Sequence, residues 1–109
     1  MATLPTQTIA LAGLAPTYAA AAGGGDKCEP GDRNFLHVKN GSGSPITVTL
    51  TATAAVRGQA VTSPTVSVPA SGERLIGPLS ADLLQNATDG LCGIGYSSAT
   101  TVTVAALRI

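Results

Sequence analysis

The chain has 109 residues, of which 44% are hydrophobic but only 3% aromatic, and its six Lys and Arg balance six Asp and Glu to a formal net charge of zero. Charged residues make up 11%, less than half the roughly 25% of an average soluble domain, and no basic cluster or aromatic platform exists to bind nucleic acid. No apolar run reaches the 18 or so residues that a membrane-spanning helix needs, so a single domain with a modest aliphatic core is expected.

So few charges protect a monomer poorly against association, which points to a surface covered by other protein subunits. Residues 1–25 carry no charge and are rich in Ala, Thr and Gly. Within this arm, residues 6–11 and 17–21 each fit a short strand, with Pro5 and Pro16 marking their starts. The Ala run is too short for a stable helix before Gly23-Gly24-Gly25. Ordering 25 residues at about 1 kcal/mol each requires on the order of 1,000 Å² of buried apolar surface. The arm is therefore expected to dock, on its own domain or on a neighbouring subunit. A secretory leader is not expected, because no Lys or Arg precedes the short apolar stretch and two prolines interrupt it.

Residues 26–33, DKCEPGDR, hold five of the twelve charged residues and read as a solvated connector turning at Pro30-Gly31. They offer carboxylates without a histidine or a close second cysteine, so no metal site is expected there. Residues 34–50, NFLHVKNGSGSPITVTL, read as a β-hairpin around which the domain is organised. Leu36 and Val38 alternate with His37 and Lys39, and Ile46, Val48 and Leu50 alternate with threonines, the period of strands with one buried face. Asn40-Gly41 and Gly43 suit the turn, and Pro45 sits where a strand can start.

Arg57-Gly58-Gln59 is a further turn. Residues 60–68 form a strand that Pro64 confines to a sheet edge or breaks in two. Residues 73–76 make a short strand that ends at Gly77-Pro78. Residues 79–86 are the one credible helix, a turn or two long, with Ser80 as cap. Residues 91–96 and 101–109 form a final strand pair joined by Ser97-Ser98-Ala99-Thr100. In the last strand Val102, Val104 and Ala106 fill one face while Ala105, Leu107 and Ile109 line the other, so it is buried on both faces.

Residues with chemical potential do not converge. His37, the single histidine, lies on the polar face of its strand, and no nucleophile–base arrangement forms around it. Cys28 and Cys92 fit either one disulfide closing a long loop or two free, half-buried thiols. Asn40-Gly41-Ser42 and Asn86-Ala87-Thr88 match the glycosylation triplet by chance in a Ser- and Thr-rich chain. The expectation is a protein without catalytic, cofactor or metal residues.

The segment order, an uncharged N-terminal arm, then NFLHVKNGSGSPITVTL, then VPASGERLIGPL, then GIGYSSATTVTVAALRI, resembles small structural proteins encoded beside the major capsid protein of tailed bacteriophages, particularly those of actinobacteria. It covers about residues 33–109 and rests on turn and strand signatures. The resemblance implies a decoration or head-stabilising protein on the capsid exterior, assembled in the host cytoplasm, often a homotrimer, with the major capsid protein as partner. The composite expectation is an all-β fold, a small antiparallel β-sandwich or barrel-like domain over residues 26–109, with an extended arm over residues 1–25 and one short helix. Thr6, Thr8, Ile9, Leu11, Leu14 and Tyr18 of the arm, with Leu107 and Ile109 of the last strand, are the expected partner contacts, the arm adding a strand to its neighbour. A head–tail neck or tail component, a glycan-binding sandwich and a secreted domain are the alternatives; only Phe35, Tyr18 and Tyr96 are available to stack on a sugar.

Overall fold

The computed structural model describes residues 2–52, 55–60, 62–86 and 89–109. Thr53-Ala54, Val61 of the expected strand over residues 60–68, and Ala87-Thr88 of the second glycosylation triplet lie outside these. In chain order the strands are β1 (Ala2–Thr3), β2 (Thr6–Thr8), β3 (Ala19–Ala20), β4 (Asp26–Cys28), β5 (Asn34–Asn40), β6 (Ile46–Leu50), β7 (Ala55–Val56), β8 (Gln59–Ala60), β9 (Thr65–Val68), β10 (Glu73–Ile76), β11 (Cys92–Tyr96) and β12 (Val102–Arg108), with α1 (Ala81–Leu84) before β11.

Two five-stranded sheets pack as a small β-sandwich. The first runs β1-β4-β11-β6-β9; the second runs β10-β5-β12-β2, with β3 also on β12. Most ladders are antiparallel, and the arm strands β1 and β2 join β4 and β12 in parallel. The period-two pattern explains the layers, because each strand turns its aliphatic phase inward. Leu36 and Val38 from β5 and Val102, Val104 and Ala106 from β12 meet Ile46, Val48 and Leu50 from β6, Val68 from β9 and Ile94 from β11 in one buried core.

Both expected hairpins are corrected. The strands of residues 34–50 form with the expected bounds, yet β5 belongs to the second sheet and β6 to the first. Likewise β11 and β12 do not pair with each other. Each connection is an arch that carries the chain across the sandwich, a gap of about 10 Å. The buried Asn40 amide explains the first arch: its Nδ2 donates to the carbonyls of Ser44, Val68 and Pro69 at 2.8, 3.3 and 3.2 Å, and its Oδ1 accepts from Ser42 N and Oγ at 3.0 and 2.7 Å. The second arch leans on the first, where Gly41 N donates to Thr101 O at 2.9 Å. A β-carbon on Gly41 would sit 3.0 Å from that carbonyl oxygen, so a larger residue there would push the two arches apart by a few tenths of an ångström.

The stretch of residues 26–33 is not wholly a solvated connector. Its first three residues are β4, with Asp26 and Cys28 fully buried. The rest is tied down where Gly31 N donates to Leu79 O at 2.6 Å and Asn34 Nδ2 to Glu29 O at 3.0 Å. The helix is a single turn, and Ser80 at its N-cap makes no side-chain cap bond. Pro64 immediately precedes β9, which is an edge strand as its proline demands.

Candidate interaction surface

Two of the arm's short strands close the free edge of β12. Thr6, Gln7 and Thr8 pair with Ala106, Leu107 and Arg108, and Ala19 and Ala20 pair with Val104 and Thr103. Between them residues 9–18 loop outward. The loop is pinned at its neck, where the Gln7 side chain donates to Thr17 O and accepts from Thr17 N, both at 2.8 Å. Leu4, between β1 and β2, is buried in the core.

On the outer face of the second sheet, β10, β5 and β12 set Leu75, His37 and Ala105 in one row, because these residues are cross-strand partners. Tyr18 lies over this row. Its hydroxyl and His37 Nδ1 share a 2.6 Å hydrogen bond, His37 Nε2 stands 3.5 Å from Glu73 Oε2, and Lys39 Nζ sits 4.1 Å from the Tyr18 ring centroid. These contacts hold the returning arm on the sheet.

Further along the same face the surface turns apolar. Phe35, Leu75, Pro78 and Ile109 line a cleft of about 360 Å³ with Asp32 and Arg33 at its rim. Leu75 is 66% exposed and Ile109 69% exposed. Ile9 begins its loop beside them, since Ile9 N donates to Arg108 O at 2.8 Å and Ile109 N to Arg33 O at 3.1 Å. Leu11, beyond Ile9, is fully exposed.

The expected contact residues thus divide. Ile9, Leu11 and Ile109 present apolar side chains to solvent, and Leu14 is half-buried. Thr6 and Thr8 pair with the chain's own β12, Tyr18 is bonded to His37, and Leu107 is only 5% exposed. Leu75 and Pro78 escaped the sequence reading, and Phe35 entered it only as a residue that could stack on a sugar, although a signal for all three exists. Phe35 shares the outward phase of His37 and Lys39, and the adjacent pair Leu75-Ile76 must send one member out of a strand. As expected, β12 is buried on both faces, Val104 and Ala106 inward and Ala105 and Leu107 outward.

A second polar cluster lies inside the sandwich. Asp26 Oδ2 accepts from the Tyr96 hydroxyl at 2.9 Å and from Ala22 N at 3.2 Å, while Oδ1 is buried without a partner. Burial, then the hydrogen bond to the Asp26 carboxylate, pushes the Tyr96 phenol up, so it stays protonated and remains the donor. Cys28 and Cys92 are free thiols in the same layer. At the surface Lys27 pairs with Asp89, which holds that carboxyl below its ordinary range. Among the described residues no three His, Cys, Asp or Glu side chains gather as a metal site, and no helix is long and apolar enough to cross a membrane. Comparison with protein-family models, with curated proteins and with solved structures returns no match.

Proposed function

We propose that the protein is a structural virion component, a capsid decoration protein of a tailed phage that binds the major capsid protein on the shell exterior and stabilises it, three copies associating at a site. The single observation that carries this reading is the apolar end of the second sheet, where Phe35, Leu75, Pro78 and Ile109 surround an open cleft beside the uncharged loop of residues 9–16. Covering a Leu or Ile side chain contributes about 1.5–3 kcal/mol. A stable interface buries on the order of 800 Å² on each partner, more than the cleft rim offers, so the loop joins the contact through Ile9 and Leu11. The shortage of surface charge supports the same reading, because it removes the desolvation cost that a charged patch would bring to assembly.

The test is co-sedimentation with shells that lack the protein. Wild type is expected to attach and to raise the shells' resistance to heat and low salt. The double variant Leu75→Glu, Ile109→Glu is expected to keep its β circular dichroism and to stay in the supernatant. Attachment of that variant at wild-type affinity, or shells equally robust without the protein, refutes the reading.

A further inference from the structure

Cys28 and Cys92 lie 64 positions apart in sequence and directly opposite each other in the β4–β11 ladder. Their backbones face one another. Lys27 O accepts from Leu4 N at 2.7 Å, away from β11, and Gly93 O accepts from Thr51 N at 3.0 Å, away from β4. The residues one step along, Cys28 and Cys92, therefore direct their own N–H and C=O groups across the ladder as a hydrogen-bonded pair. Such a pair sets its Cα atoms about 5.5 Å apart, inside the span that a disulfide bridges. Both side chains belong to the buried core and are fully buried, and the Cys92 thiol donates to Gly93 O at 3.7 Å.

We propose that Cys28 and Cys92 are a peroxide-responsive modification site, converting to a cross-strand disulfide that locks the arm-bearing edge of the first sheet. Among the described residues the outer edge of β4 is covered by β1, a two-residue strand, and by Leu4 just beyond it. A small uncharged oxidant such as hydrogen peroxide passes where a peptide disulfide would not. The Cys92 sulfur attacks one peroxide oxygen, the O–O bond breaks, and a sulfenic acid and one water result. The Cys28 sulfur then attacks the Cys92 sulfur. The S–S bond forms, the S–O bond breaks, and the hydroxyl leaves with the Cys28 proton as a second water. Two electrons pass from the two sulfurs to the peroxide, which is fully reduced. The division of roles follows from the surroundings: the Cys28 thiol is pushed up, first by the neighbouring Cys92 side chain and then by burial, and remains the protonated partner. The cross-link closes a long loop, the case in which the loss of unfolded-state entropy is greatest.

The folded protein is incubated with dilute hydrogen peroxide, then denatured, alkylated and weighed, and its thermal midpoint is followed in parallel. Wild type is expected to lose both alkylatable thiols as a monomer, to become lighter by two hydrogens, and to unfold on the order of 10 °C higher. Dithiothreitol added after unfolding restores both thiols. Cys28→Ser, with Cys92 left alone, is expected to gain oxygen and no thermal shift. Persistence of both thiols in the folded protein, oxygen adducts in place of the cross-link, bridges between chains, or an unchanged midpoint in the cross-linked monomer would each overturn the proposal.

Discussion

The Asn40 side chain offers the sharpest perturbation, Asn40→Asp, which keeps the shape and changes the chemistry. In the native arch the amide nitrogen's two hydrogens serve the carbonyls of Ser44, Val68 and Pro69, while Oδ1 holds Ser42. A carboxyl retains the Ser42 contacts and, when protonated, offers one donor in place of two, removing about 0.5–1.5 kcal/mol for the lost hydrogen bond. It also sets an acceptor against three carbonyl oxygens at a 2% exposed position, so in the fold the new group must hold a proton. Keeping a carboxyl of ordinary pKa, about 3.9, protonated at neutral pH costs roughly 4 kcal/mol. The total, about 4.5–5.5 kcal/mol at neutral pH, rivals the stability of a typical small domain. The pH dependence has a definite direction. The folded-state pKa of the new carboxyl is raised above its unfolded value, so the deficit relative to wild type is smallest below about pH 4 and grows as pH rises above it. Parallel urea titrations of both proteins near pH 4 and pH 7 measure this. An equal deficit at the two pH values refutes the account of Asn40 as a donor hub.

Leu4→Ala is expected to lower stability by about 2–4 kcal/mol, as for a core leucine, because Leu4 is buried between the sheets; a loss under 0.5 kcal/mol in chemical denaturation would show that the arm is merely laid on the domain. Tyr96→Phe leaves the fully buried Asp26 carboxylate with one backbone donor and is expected to cost about 1.5–3 kcal/mol, read as a lowered thermal midpoint at neutral pH.

How the chain divides into strands was legible from alternation alone. Leu36 and Val38, Ile46, Val48 and Leu50, and the two-faced pattern of residues 102–108 marked β5, β6 and β12 almost to the residue. Which strands pair was not legible, and the reason is geometric. A hairpin and an arch both turn the same phase of each strand toward the core, so Leu36 and Val48 are buried under either topology. What selects the arch is the Asn40 side chain reaching the Val68 and Pro69 carbonyls, a contact across 28 and 29 positions that no local pattern encodes. The buried Asp26 was hidden for a related reason. A charged residue reads as solvated until Tyr96, 70 positions on, arrives to bond it. On the candidate surface, Leu11 and Ile109 were legible as unpaired apolar side chains. The cleft was not, because Phe35, Leu75 and Pro78 come together only when β10 lies against β5.

The chain changes layer at nearly every connection, and this bears on how it is made. β12 is what joins β2 and β3 to β5, and β11 is what joins the β1–β4 pair to β6 and β9. Neither sheet can close until residues 92–108 have left the ribosome, so the nascent polypeptide carries open ladder edges until then. Completion is then expected to come late and all at once, once both of these strands are free to pair, with holdase chaperones guarding the wait.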